Sequence, residues 1–209
     1  MATLVDYFVR GGSMMWLLLI LAILGLAFII ERLISLFIKL KGDPKQIMED
    51  TIKKIEAQGI DAALSFLSKE KNPIAKVMEA GLEKVDRGRM VVEEAMTMKA
   101  TTEFAFLDRG MIYLTAVTTL APIVGFLGTV TGMIRAFNAI AAAGEVEPTI
   151  VASGISEALI TTATGLLIAA PVSLFYALFA DRINNFTRAM EETSNAFIEY
   201  LLETGVIER

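Results

Sequence analysis

The sequence predicts an all-α membrane protein with three transmembrane helices and long cytoplasmic helical extensions. Three observations predict it. The 209-residue chain is 55% hydrophobic, above the ~45–50% of an ordinary soluble domain, and its mean hydropathy is +0.58. The excess is gathered into three runs, each long enough to cross a hydrocarbon core of ~30 Å, which takes ~20 apolar residues in a helix. The sequence outside those runs shows helical spacing, with no β-rich tract, low-complexity segment or internal repeat.

Composition also excludes whole classes of chemistry. The chain has no Cys and no His. Disulfides, thiolate and imidazole metal sites, Cys nucleophiles and Ser-His-Asp triads are therefore impossible. No metal, cofactor or catalytic residue is expected, and the chain is not read as an enzyme. A net charge of -5 gives no basis for binding nucleic acid. The expected surroundings are a lipid bilayer.

Residues 1–13 are read as an N-terminal periplasmic interfacial segment. Leu4, Val5, Phe8 and Val9, interrupted by Asp6 and Arg10, suit a short amphipathic helix on a membrane surface. Trp16 stands where an interfacial anchor belongs. Residues 14–38 form transmembrane helix 1, apolar except for Glu31 and Arg32 near its end. A cleaved signal peptide is not expected. The run exceeds an h-region of ~7–15 residues, and no A-x-A-like site follows it.

Residues 39–110 are read as a cytoplasmic helical segment. Asp43-Pro44 and Asn72-Pro73 each pair an N-cap with a proline at the first helical position. Gly59 is a helix stop and Arg87-Gly88 a break. From about Met90 the helix is expected to run on into the second span, with no breaker before Gly110. Glu93, Glu94, Glu103 and Asp108 alternate with Lys99 and Arg109, as solvated helix faces do.

Residues 111–143 form transmembrane helix 2, with Arg135 its single charge, and residues 144–149 a periplasmic loop carrying Glu145 and Glu147. Residues 150–180 form transmembrane helix 3, with Glu157 its single charge, and residues 181–209 a cytoplasmic C-terminal helix. Lys39, Lys41, Lys45, Arg89, Lys99, Arg109, Arg182 and Arg188 flank the inner ends of the spans. The positive-inside rule then puts the N-terminus in the periplasm and the C-terminus in the cytoplasm. Arg135 approaches the outer face, where it snorkels or pairs with an acid in the outer loop.

The second and third spans carry the functional information. On a wheel of about 100° per residue, Thr115, Thr118, Pro122, Gly125, Thr129 and Gly132 share roughly one 100° sector. Gly125, Gly128 and Gly132 suit close helix packing, while the hydroxyls of Thr118 and Thr129 can bond their own backbone. Glu157 lies about two turns inside its span, ~10 Å deep at 1.5 Å per residue. It must be neutral, paired, or facing water or protein. Ser153, Thr161 and Thr164 share its face. Two readings stand: an ion or proton path lined by a carboxyl and hydroxyls, or a carboxyl packed on another helix or paired with Arg135. Pro171 frees a carbonyl and invites a kink. Two polar-faced helices do not enclose a water-filled path. A ring of several copies is therefore expected, with the first span facing lipid.

The segment Ala121-Pro-Ile-Val-Gly-Phe-Leu-Gly-Thr129-Val-Thr-Gly-Met133 closely resembles the second-span signature of the MotA/TolQ/ExbB family. Gly154-Ile-Ser-Glu157-Ala-Leu-Ile-Thr-Thr162-Ala-Thr-Gly-Leu166, followed by Ala170-Pro171, resembles its third-span signature. Leu107-Asp-Arg-Gly-Met111 is similar to the entry into the second span. The three-span layout resembles the ExbB/TolQ-like branch. The resemblance implies an inner-membrane subunit of a motor driven by the proton motive force. It implies a homo-pentamer around two copies of a single-span ExbD/TolR-like protein in the pore, serving a TonB/TolA-like envelope-spanning protein. Ion flow would be coupled to work on the cell envelope, either energised transport or envelope constriction.

Carried over by position, Thr129 and Thr162 match the family's pore threonines and Glu157 its third-span glutamate. Thr118 and Thr161 are grouped with them as path residues, and Pro122, Gly125, Gly128, Gly132 and Pro171 as packing and kink residues. On an ideal wheel Thr162 sits about 140° from Glu157, whereas Thr161 shares its face. A distorted helix, a Glu157 outside the pore, or faces from neighbouring protomers would each satisfy this. The alternative function is a non-conducting scaffold that stabilises a partner.

Overall fold

Eight α-helices and one 3-10 turn, with no strand, account for the secondary structure of residues 3–144 and 146–207, the residues described by the computed structural model. Glu145 of the expected loop, the chain ends and the side chain of Lys39 lie outside that description. Helix α1 spans Leu4–Arg10, α2 Met14–Lys39, α3 Pro44–Gln58, α4 Ile60–Leu67 and α5 Pro73–Leu82. After the 3-10 turn Val85–Arg87 come α6, Arg89–Asp108, α7, Met111–Ala143, and α8, Pro148–Glu203. Three stretches, one on α2, one reaching through α7 and one on α8, are long and apolar enough to cross a membrane.

Local chemistry sets the helix starts. Thr3 and Asp6 form a capping box on α1: Thr3 N–H donates to the Asp6 carboxylate at 2.7 Å, and Asp6 N–H to the Thr3 hydroxyl at 3.3 Å. Those bonds hold the Asp6 carboxyl below its ordinary value. Asp43 caps α3 by accepting from Lys45 N–H at 3.0 Å, with Pro44 opening the helix. Asn72 caps α5 by accepting from Ile74 N–H at 3.0 Å. Gly59, at φ 86°, ends α3.

One expectation changes here. The helix from Arg89 is interrupted by a turn at Arg109–Gly110 before α7 begins. At the other end, the third span and the C-terminal helix are one element, α8, unbroken from Pro148 to Glu203. Charged residues begin at Asp181, and nothing there stops the helix. Pro122 and Pro171 lie inside α7 and α8, both of which run on through them.

The chain divides into two units. The first holds Met1–Glu31 with Gly110–Phe179. Lipid tails are as apolar as Leu, so helices in a bilayer associate by close packing rather than by escape from water. This unit is built that way. Met15, Leu18, Gly25 and Ile29 make the buried stripe of α2. A Cβ on Gly25 would stand 3.0 Å from Val172 Cγ2 and 3.3 Å from Val117 Cγ1. So α2 is not turned to lipid all round: this stripe seats it on α7 and α8. Phe28 stacks on Tyr113 with ring centroids 4.3 Å apart.

The second unit holds Arg32–Arg109 with Ala180–Arg209. Its core includes Leu67, Ile74, Met78, Leu82, Met96, Phe197 and Leu201, each at most 2% exposed. Buried apolar side chains of this size contribute ~1.5–3 kcal/mol each when the alternative is water. Asn72 ties the turn before α3 to α5, donating to the Lys41 carbonyl at 3.0 Å. Arg32, 4% exposed, donates to the Leu107 carbonyl at 2.9 Å. Glu103 is not on a solvated face. It is 8% exposed and lies 3.5 Å from Lys76 Nζ and 3.2 Å from Lys99 Nζ. The α5–α6 packing that brings Lys76 over Glu103 has no signature within either helix.

Candidate functional site

In the first unit, α7 and α8 meet at backbone distance. A Cβ on Gly125 would stand 2.9 Å from the Thr161 carbonyl oxygen and 3.3 Å from Thr162 Cα. One on Gly132 would stand 3.1 Å from the Gly154 carbonyl oxygen and 3.4 Å from Glu157 Cβ. The place of a Cβ on Gly128 is taken by the Thr161 side chain. From α8, Gly165 closes on Ala121, whose carbonyl oxygen would be 2.5 Å from an added Cβ. Gly154 closes on Ala136 in the same way. Gly125, Gly128 and Gly132 of α7 thus face small residues of α8. Gly154, Ala158, Thr161 and Gly165 are the matching side, visible in the sequence as small residues at i, i+4, i+7 and i+11.

The hydroxyls fall into two groups. Thr161 is fully buried at this contact and donates to the carbonyls of Glu157 at 3.1 Å and Ala158 at 3.0 Å. Thr162 is half-buried, and its hydroxyl reaches across to the Gly125 carbonyl at 3.5 Å, the long limit of a hydrogen bond. Thr129 donates to the Phe126 carbonyl at 2.7 Å and Thr118 to the Thr115 carbonyl at 2.8 Å, both along α7 itself. A hydroxyl that donates to its own helix keeps its oxygen lone pairs. Thr129 and Thr118 can therefore still accept a proton donor or meet a cation. Pro122 is half-buried and Pro171 exposed.

The charged pair sits at one end of this contact. Arg135 of α7 donates to Glu157 Oε1 of α8 at 2.6 Å, and the Glu157 side chain is only 13% exposed while that of Arg135 is 51% exposed. The second Arg135 nitrogen donates to Ser13 Oγ at 2.9 Å. Arg10 donates to Ser156 Oγ at 2.8 Å. Between Arg10 and Ser13 stands Gly12, at φ +69°, and a Cβ there would collide with Glu157 Oε1 and approach Arg135 to 2.8 Å. The face shared by Glu157 and Thr161 is therefore the side of α8 turned to α7. Thr162 lies at the edge of that contact. The 140° angle needs no helix distortion. The sequence offered the Arg135–Glu157 pair as one of two readings, and the structure makes it. The sequence did not show Arg10, Gly12, Ser13 and Ser156 as their neighbours, because chain separations of 122 and 146 residues divide the bonded partners. The Gly11-Gly12 pair before the first span was the available signal.

Comparison with known proteins adds the lineage. The model of the MotA/TolQ/ExbB proton channel family matches residues 69–192. The chain is 36% identical over 177 residues to the biopolymer transport protein ExbB-like 1 of Synechocystis, covering 79% of this chain and 66% of that one. It is 30% identical over 178 residues to the biopolymer transport protein exbB1 of Vibrio cholerae, covering 82% and 78%. It is 33% identical over 131 residues to the Tol-Pal system protein TolQ of Haemophilus influenzae, covering 63% and 54%. The chain thus spans just under two thirds of the cyanobacterial relative and about half of TolQ.

Proposed function

Because this chain belongs to the MotA/TolQ/ExbB proton channel family, we propose that it is the inner-membrane subunit of a motor driven by the proton motive force. In this reading five copies form a ring around two copies of a single-span ExbD/TolR-like protein. The partner passes work to the envelope, through a TonB/TolA-like protein in energised transport or through constriction. The N-terminus is periplasmic. The second unit and the C-terminus are cytoplasmic, in keeping with Lys41, Lys45, Arg182 and Arg188 beyond the inner ends of the spans.

The observation that carries the proposal is the α7–α8 pair. Two membrane-length helices are locked at glycine contacts and present hydroxyls beside them. The path is assigned to Thr129 and Thr162, with Thr118 on the same helix as Thr129. An acidic side chain of the partner is costly when charged among apolar groups and cheap when protonated. The threonine oxygens offer the protonated acid hydrogen bonds at fixed positions. Thr161 is enclosed and serves the packing.

The test is proton uptake by liposomes carrying the complex with its companion, read by an internal pH dye. Thr129→Val and Thr162→Val keep shape and remove the hydroxyl. Each is expected to slow uptake roughly two- to tenfold, as loss of one hydrogen bond of ~0.5–1.5 kcal/mol implies. Unchanged uptake in both would remove the hydroxyls from the path.

A further inference from the structure

We infer that Glu157 is a positioning residue: paired with Arg135, it pins the segment from Arg10 to Ser13 across the ends of α7 and α8, and it does not itself carry the ion. The inference rests on the motor reading above and assigns a part within it.

Four observations converge. Glu157 is nearly enclosed, and its partner is a guanidinium of its own protomer at 2.6 Å. A carboxylate so held is committed, because giving up the bond leaves an enclosed charge without a partner. The same guanidinium holds Ser13 at 2.9 Å, so the pair reaches the N-terminal segment directly. Gly12 presses on both charged groups in a backbone conformation that other residues rarely adopt, with no room for a Cβ. Arg10 adds a second tie at Ser156, the residue before Glu157. Residues 10–13 lie outside the stretch matched by the family model, 69–192.

The consequence is geometric. Arg135 joins α7, α8 and the start of α2 through Glu157 and Ser13. Breaking the pair frees the N-terminal segment and loosens the α7–α8 register on which Thr129 and Thr162 depend.

The chain's single tryptophan makes this testable. Trp16 lies three residues beyond Ser13 and packs edge-on against Phe8, centroids 5.0 Å apart. In the intact complex in lipid nanodiscs, quenching of Trp16 by acrylamide is compared in wild type, Glu157→Gln, Arg135→Gln and the exchange Glu157→Arg with Arg135→Glu. Proton uptake is measured in parallel. Each single substitution is expected to raise quenching and lower uptake, and the exchange to return both toward wild type. Ser13→Ala, which leaves the ion pair untouched, is expected to raise quenching by itself. Unchanged quenching in the single variants and in Ser13→Ala would overturn the inference. So would an exchange that restores quenching but not uptake, because Glu157 would then act as an ion carrier. If the wild-type complex takes up no protons, the motor reading fails, while the quenching series still decides whether the pair holds the segment from Arg10 to Ser13.

Discussion

Gly128 and Thr161 show how little freedom the α7–α8 contact leaves to a single residue. A methyl on Gly128 must share space with the Thr161 side chain, which can be removed. A methyl on Gly165 meets the Ala121 carbonyl, a backbone atom that cannot. Gly128→Ala is expected to cost about 1–3 kcal/mol by overpacking, or several degrees in thermal midpoint at ~2–4 °C per kcal/mol. Adding Thr161→Gly should recover part of the loss. Gly165→Ala should cost as much or more and gain nothing from Thr161→Gly. Thermal unfolding in detergent measures all four chains, and a Gly128→Ala chain as stable as wild type would contradict the packing described. At this scale the sequence showed α7's three glycines and the third span's lone carboxylate. It did not show which of α8's polar residues faced α7, because a wheel gives relative angles and no origin. The bond from Arg135 to Glu157 supplies that origin.

Among the elements, those whose ends depend on local chemistry were legible. Asp43-Pro44 and Asn72-Pro73 open helices because a side-chain oxygen satisfies an early N–H and proline needs none. The continuity of α8 was not legible, because hydropathy reports solvent and a helix can change solvent without ending. The burial of Glu103 was equally hidden, since Lys76 reaches it from another helix. Across elements of the second unit, Tyr200 of α8 interacts with Glu56 of α3. Burial, then the Glu56 charge and its hydrogen bond, raise the Tyr200 hydroxyl above its ordinary 10.0. Protonated tyrosine is thus favoured in the folded chain. Its contribution is intact below 10.0 and is lost as pH rises from there through the folded value, where the unfolded chain has already released its proton. Unfolding midpoints followed upward from pH 10.0 should fall less steeply in Tyr200→Phe than in wild type. Parallel curves would show that the contact contributes nothing.

At the scale of the molecule, the first unit leaves Ile123, Phe126, Val130 and Phe137 of α7 and Leu159, Leu166, Leu167 and Leu174 of α8 exposed. Apolar surface of that extent requires lipid or protein cover. One chain supplies a locked helix pair with hydroxyls beside it, and two helices cannot surround a path. The motor reading therefore requires several copies and a companion. Native mass spectrometry of the complex, expressed with its neighbouring genes and extracted gently, tests that requirement most directly. Five copies of this chain with two of a single-span companion is the result expected. A monomer or dimer with no companion would contradict it and leave the chain a membrane scaffold.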